Sequence, residues 1–277
     1  MDTGVYRWGQ LCRLAPKKDI ELAIADGMVT KLRHGWYSTP AADKRVEHAV
    51  RIGGVVSCAT ALEMHGVWVP AQRNRLHVRG NDGAARTHPL WCRQHGRQPR
   101  EFESVDDMLT ALRHAARCLP PEDFVVVCDS IVNKGLMDRS DLIAEFVDRS
   151  AKFQRVLDKI DGRAESGIET MVRLRLQALN IHARPQVRIP MVGRVDLLIG
   201  TSLIIETDGV EFHSSPDAGE NDKRRDSEAH ALGFHTIRLT YRQVTGDWAW
   251  ALRQIRAMMR RGEHRRPVDV QLDSPLT

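Results

Sequence analysis

The residues best placed to do chemistry are Asp196, Glu206 and Asp208, three acids in the otherwise apolar stretch RVDLLIGTSLIIETD, residues 194–208. Val195, Leu197 and Ile199 alternate with Asp196 and Leu198, which predicts a strand. Gly200, Thr201 and Ser202 supply a turn, and Leu203, Ile204 and Ile205 open a second strand. Side chains alternate across a strand, so Glu206 and Asp208 face the same way, near the end of a hairpin that also carries Asp196. Carboxylates gathered on an apolar sheet repel one another and resist desolvation. A hard divalent cation such as Mg²⁺ relieves that conflict, because it takes a few carboxylate oxygens plus water. The same acids could instead cap strands or pair with Arg188 and Arg194.

The flanking elements must hold these acids in place. Ser166 with Glu169 three residues later is a capping box that starts a helix. Ile168, Val172, Leu176 and Leu179 form its apolar face, with Arg173 and Arg175 on the other. A surface ion pair between Glu169 and Arg173 is the plainer reading of those two residues. Residues 184–190 should be a strand feeding the hairpin. A polar helix over 217–232 carries Asp222, Lys223, Arg224, Arg225 and Asp226. Gly233 ends it, a strand follows over 234–239, and 248–260 reads as a closing helix.

The 277 residues suit two domains, and the net charge of +5 permits a polyanionic partner without demanding one. No apolar run reaches the roughly 18 residues of a membrane span. The start of the chain shows no secretory signal. Cys12, Cys58, Cys92, Cys118 and Cys128 are odd in number and lack CxxC spacing. That pattern predicts reduced thiols in a cytoplasmic protein, without a zinc site.

In the N-terminal half, residues 5–37 predict two short helices and then a hairpin around His34 and Gly35, the order of a winged helix-turn-helix. Lys17, Lys18, Lys31 and Arg33 are its candidate DNA contacts, whereas Asp19 and Glu21 lie on the would-be recognition helix. A Ser57-capped helix ends at Gly66, and residues 76–78 and 90–92 suit strands. Helices are expected over 104–119, 121–133, 138–146 and 151–160. His65 and His77 are read as structural histidines rather than ligands.

Two resemblances follow from quoted residues. Gly27, Val29, Leu32, Arg33, Gly35, Trp36 and Tyr37, with the later SCATALEMHGV stretch, resemble the N-terminal winged-helix unit of AbiEi-type antitoxins. Residues about 160–260 resemble the DUF559 domain and the very-short-patch-repair (Vsr-like) endonucleases, within the PD-(D/E)XK superfamily. The matching residues are Ala164, Glu165, Ser166, Glu169 and Arg173; Gly193, Arg194, Asp196 and Leu197; Glu206, Asp208, Gly209 and His213; and Asp222, Arg225, Gly233 and Arg238.

The fold implied is α/β (α+β): a winged helix-turn-helix plus a helical region, then a restriction-endonuclease-like mixed sheet flanked by helices. The implied boundaries are 1–80 for the winged helix and adjoining elements, 81–160 for a mixed then helical middle, 161–262 for the nuclease domain, and 263–277 for a tail. The activity implied is Mg²⁺- or Mn²⁺-dependent hydrolysis of DNA phosphodiesters, in repair or in defence against phage and mobile elements. Asp196 and Glu206 are the implied metal ligands, with Glu169 joining directly or through water. The lysine that usually ends the nuclease motif is missing, and Asp208 takes its place. Asp208, His213 or the metal would then activate water, and Arg225 would hold the phosphate or bridge to Asp208. Lys223 and Arg224 add to the positive field. Duplex DNA is the implied partner, and a homodimer or a toxin–antitoxin or defence-system partner is compatible with it. The alternative is a catalytically silent DNA-binding regulator or antitoxin-like protein.

Overall fold

A computed structural model describes residues 1–71, 75–208 and 216–270, with the side chains of 85 and 216–223 left aside. The chain divides into two compact units, Met1–Phe124 and Val125–Thr277. That division falls well before the expected boundary near 160. Of the helices expected in the middle region, that over 104–119 falls in the first unit, and those over 138–146 and 151–160 fall in the second.

In the first unit, β1 (Val5–Arg7), α1 (Trp8–Leu14), α2 (Lys17–Ala25), β2 (Thr30–Arg33) and β3 (Trp36–Ser38) form two helices and a three-stranded antiparallel sheet. The strand order is β1-β3-β2. Gly27 and Gly35 take left-handed backbone at the helix end and the hairpin turn, as their positions required. Next come α3 (Lys44–Arg51), β4 (Val55–Val56), α4 (Cys58–Met64), β5 (Val78–Arg79), α5 (Asp82–Thr87) and α6 (Met108–Cys118). Asp107 caps α6 by accepting from the Thr110 amide, so the helix starts later than the expected 104, and Ser104 is buried and bonded to Thr3. Residues 90–92 form no strand; the Cys92 amide makes a single bond to the Val78 carbonyl.

All five cysteines are free thiols, but three of them are not scattered in space. Ligand atoms of Cys58, His77, Cys92 and Cys118 lie within 4.8 Å of one another. Four separate segments deliver them, so no short-range spacing could reveal the group. His77, read as merely structural, is one of its members.

The second unit begins with most of α7 (Pro121–Asn133) and continues through α8 (Arg139–Ala144) and α9 (Ala151–Leu157) to α10 (Gly167–Gln177). Strands β6 (Ala183–Ile189), β7 (Gly193–Ile199) and β8 (Leu203–Asp208) run antiparallel in turn. Helix α11 (Pro216–Ala231) then leads to β9 (His235–Thr240), which lies parallel to β8. The chain closes with α12 (Tyr241–Gly246) and α13 (Trp248–Arg260). The result is a four-stranded mixed sheet in the order β6-β7-β8-β9. Val195, Leu198, Ile204, Ala229 and Phe234 bury together, which fixes α11 against the sheet.

Two expectations are corrected here. Arg173 is not on a solvated face: it is buried and donates to Asp129 at 2.7 Å and to the Lys159 carbonyl at 2.9 Å. Its partner therefore lies on α7 rather than one turn back at Glu169. Residues 263–270, expected as a tail, are tied to the sheet. Val268 and Val270 pack on its core, the Ser202 hydroxyl donates to the Glu263 carbonyl, and Glu263 meets His235 at 2.8 Å. Tertiary contacts of this kind leave no periodic trace in so short a segment. No helix among the described residues is long and apolar enough to cross a membrane.

Candidate active site

The site is built on one level of the sheet. Leu197 pairs with Pro185 on one side and Ile205 on the other, and Val187 pairs with Val195. The next residue along each strand therefore places Asp196 between Gln186 and Glu206. Glu206 in turn pairs with Arg238. Gln186, Asp196, Glu206 and Arg238 thus form a row across all four strands.

Helix α10 brings Glu169 to this row. The capping box is formed as expected: the Glu169 amide donates to the Ser166 hydroxyl, and Glu169 Oε1 accepts from the Ser166 amide at 2.9 Å. Its other oxygen accepts from the Glu165 amide at 3.0 Å and from Gln186 Nε2 at 2.6 Å. Glu169 is 4% exposed. Burial, then the nearby charge of Asp196, pushes its carboxyl above the ordinary range.

Asp196 Oδ2 accepts from the amide and the hydroxyl of Thr207, at 2.8 and 3.0 Å. These bonds favour its ionised form, but burial outweighs them and its pKa is raised. Glu206 feels the conflict most. Burial, with the charge of Asp196 second, raises it to about 7, against the pull of Arg225 and Arg238. Burial holds all three acids above their usual range, and the charge of Asp196 adds to the rise of Glu169 and Glu206, so the site is short of positive charge.

The cations present are positioned by the frame. Arg225 on α11 donates to the carbonyls of Val192 and Arg194, at 2.9 and 2.8 Å, and stands 3.6 Å from Glu206. Of its two expected roles, the bridge to Asp208 is not made; Arg238 lies 4.0 Å from Asp208 and binds Asp226 at 2.7 Å. Asp208 is exposed, on the same face of β8 as Glu206. Arg194 pairs with Glu165 rather than with an acid of the row. His213, and the side chains of Asp222 and Lys223, lie outside the described residues.

The structure thus brings together Glu169, Asp196, Glu206 and Arg225. Gln186 was missed by sequence reasoning. Its only signal was a polar residue within an expected strand, and the pairing with Glu169 depends on strand register.

The candidate DNA contacts divide into two groups. Lys18 and Lys31 are exposed, and Lys17 is exposed beside Glu21 at 3.6 Å. Arg224 is exposed beside Glu228 at 3.6 Å. Arg33 is instead engaged within its own unit: it binds Glu101 at 2.7 Å and the Gly54 carbonyl at 3.2 Å, and its guanidinium stacks 5.3 Å from the Trp36 ring.

Searches against protein families, curated proteins and solved structures give no match for this chain.

Proposed function

We propose that the second unit is a metal-dependent DNA endonuclease of the PD-(D/E)XK type, resembling the DUF559 and Vsr-like enzymes. The sheet, helices and hairpin of residues 5–38 would be a winged-helix module that directs it to duplex DNA. One observation carries the reading: Glu169 from α10 meets Asp196 and Glu206 of the sheet in a partly buried site where desolvation and like charge oppose their ionisation. An all-oxygen donor set of this kind fits Mg²⁺ or Mn²⁺ rather than a soft metal. Asp196 and Glu206 would hold the ion, with Glu169 beside them. Such an ion, when bound, polarises a phosphate oxygen and lowers the pKa of water.

The chain's own residues supply the rest. Glu206 is poised to release its proton near neutral pH. Arg225, fixed by two carbonyls, holds a cation beside the acids where a phosphate would lie. Gln186 keeps Glu169 oriented, and Thr207 does the same for Asp196. Asp208, on the same face as Glu206, is the acid available to accept a proton from water; His213 is the second candidate. Lys18, Lys31 and Arg224 would supply sequence-independent attraction to phosphates.

A second reading, a DNA-binding regulator without turnover, draws support from Asp208. It places a negative charge where the nuclease motif usually ends in lysine. Cleavage of supercoiled plasmid and mismatched duplex with Mg²⁺, Mn²⁺ or EDTA separates the two. Nicking that needs the metal and is lost in Glu206→Ala supports the enzyme. Intact DNA that is shifted in a gel by folded protein supports the regulator.

A further inference from the structure

We infer that Cys58, His77, Cys92 and Cys118 are the four ligands of a structural zinc ion in the first unit. The group is compact: the four ligand atoms lie within 4.8 Å of one another. Cys92 Sγ is 3.7 Å from Cys118 Sγ, and His77 Nδ1 is 3.3 Å from Cys92 Sγ and 3.6 Å from Cys118 Sγ. Zinc bonds of ~2.3 Å to sulfur and ~2.0 Å to nitrogen, at tetrahedral angles, put two sulfurs about 3.8 Å apart and sulfur about 3.5 Å from nitrogen. The three separations among His77, Cys92 and Cys118 match edges of that tetrahedron, and Cys58 lies within 4.8 Å of each of them. They are far from the ~2.0 Å of a disulfide bond.

The surroundings point the same way. Cys58, His77 and Cys92 are buried, with His77 1% exposed. Its Nδ1 faces two sulfurs, which are weak hydrogen-bond partners for a buried imidazole. Cys58 also sits at φ +52°, a left-handed backbone rarely taken by a side-chain-bearing residue. That turn lies where Ser57 hands over to α4, and it is what brings Cys58 into the group. Cys118 is only half-buried and shares a surface cavity with Cys92, Trp91, Arg93 and Arg117, which gives a metal its access route.

Three thiolates and an imidazole select a soft or borderline metal in a closed tetrahedral site. The ligands come from the start of α4, the approach to β5, the loop after α5 and the last residue of α6. One ion therefore pins four segments that share few backbone hydrogen bonds. Its place is structural: no open position remains for a substrate or water.

The test uses the full chain, purified under reducing conditions without added metal. Elemental analysis should give about one zinc per chain. Replacement by Co²⁺ should give thiolate-to-cobalt charge-transfer absorption and the intense visible bands of a tetrahedral centre. Cys12→Ser should leave both unchanged, since Cys12 is exposed and outside the group. Cys118→His keeps four ligands, so it should still bind Co²⁺ with weaker charge-transfer absorption. This variant reports on the site without removing a ligand outright. Reduced, folded protein that takes up neither zinc nor Co²⁺ would overturn the inference. So would Co²⁺ spectra unaltered by Cys118→His.

Discussion

Gln186 donates its side-chain amide to Glu169 Oε2 at 2.6 Å while its own backbone stands at φ +54°. A glutamine held in the left-handed region of a strand costs of order 1–3 kcal/mol, and such strain collects at functional sites. The residues on either side of it, Pro185 and Val187, pair with Leu197 and Val195, which flank Asp196. Gln186→Gly removes both strain and amide. It should leave the protein at least as stable as Gln186→Ala, while both lower Mn²⁺ affinity about 10- to 100-fold, the usual effect of losing a group that orients a ligand. Calorimetric Mn²⁺ titration beside thermal melts checks the separation. Unchanged affinity in both variants would remove Gln186 from the site.

Glu206 gives a pH signature. Its carboxyl is raised in the folded protein from 4.5 to about 7. The folded state therefore binds this proton more tightly than the unfolded chain, and metal-free stability falls as pH rises from about 4.5 to about 7. Glu206→Gln should raise the stability of metal-free protein at pH 8 by about 3 kcal/mol and change it little at pH 4. Urea unfolding at the two pH values measures this. Equal effects at both would show that Glu206 titrates normally.

Arg225 opposes the rise in Glu206. Arg225→Ala should move the alkaline-rising limb of Mn²⁺ binding to higher pH, beyond any loss of DNA affinity. Titrations across a pH series would show it, and a limb that stays in place would mean the 3.6 Å contact is electrostatically inert.

The Asp129–Arg173 pair is buried, at 1% and 8% exposure, and also takes the Thr170 hydroxyl. Removing one partner leaves a charge without compensation, so Asp129→Ala should cost about 3–5 kcal/mol. Asp129→Leu with Arg173→Met should recover much of that loss. Chemical unfolding of the single and double variants settles whether the pair is coupled.

Among the N-terminal cations, Lys18 and Lys31 should behave differently from Arg33. Lys31→Ala should weaken DNA binding and lower the salt slope by about 1. Arg33→Ala should chiefly lower thermal stability, through the loss of Glu101 and Trp36. Binding isotherms at several salt concentrations distinguish a phosphate contact from a structural arginine.

The elements that carry the acids were legible in the sequence because their causes are local. Alternation in residues 195–199, the turn at Gly200 and the serine–glutamate capping box each act within a few residues, and all are present. Placing Glu206 and Asp208 on one face needs only the strand period. The rest depended on which distant segments meet. Strand register put Gln186 opposite Asp196. The packing of α7 on α10 turned Arg173 from an expected surface residue into a buried partner of Asp129. Residues 263–270 gained their structure from contacts with Ser202, Leu232 and His235. The cysteine group shows the limit most sharply. Adjacent ligands would have declared themselves by spacing, but Cys58, His77, Cys92 and Cys118 are joined only by the folding of four segments. Metal ligands need closeness in space, and sequence spacing reports that only when one turn or hairpin supplies them.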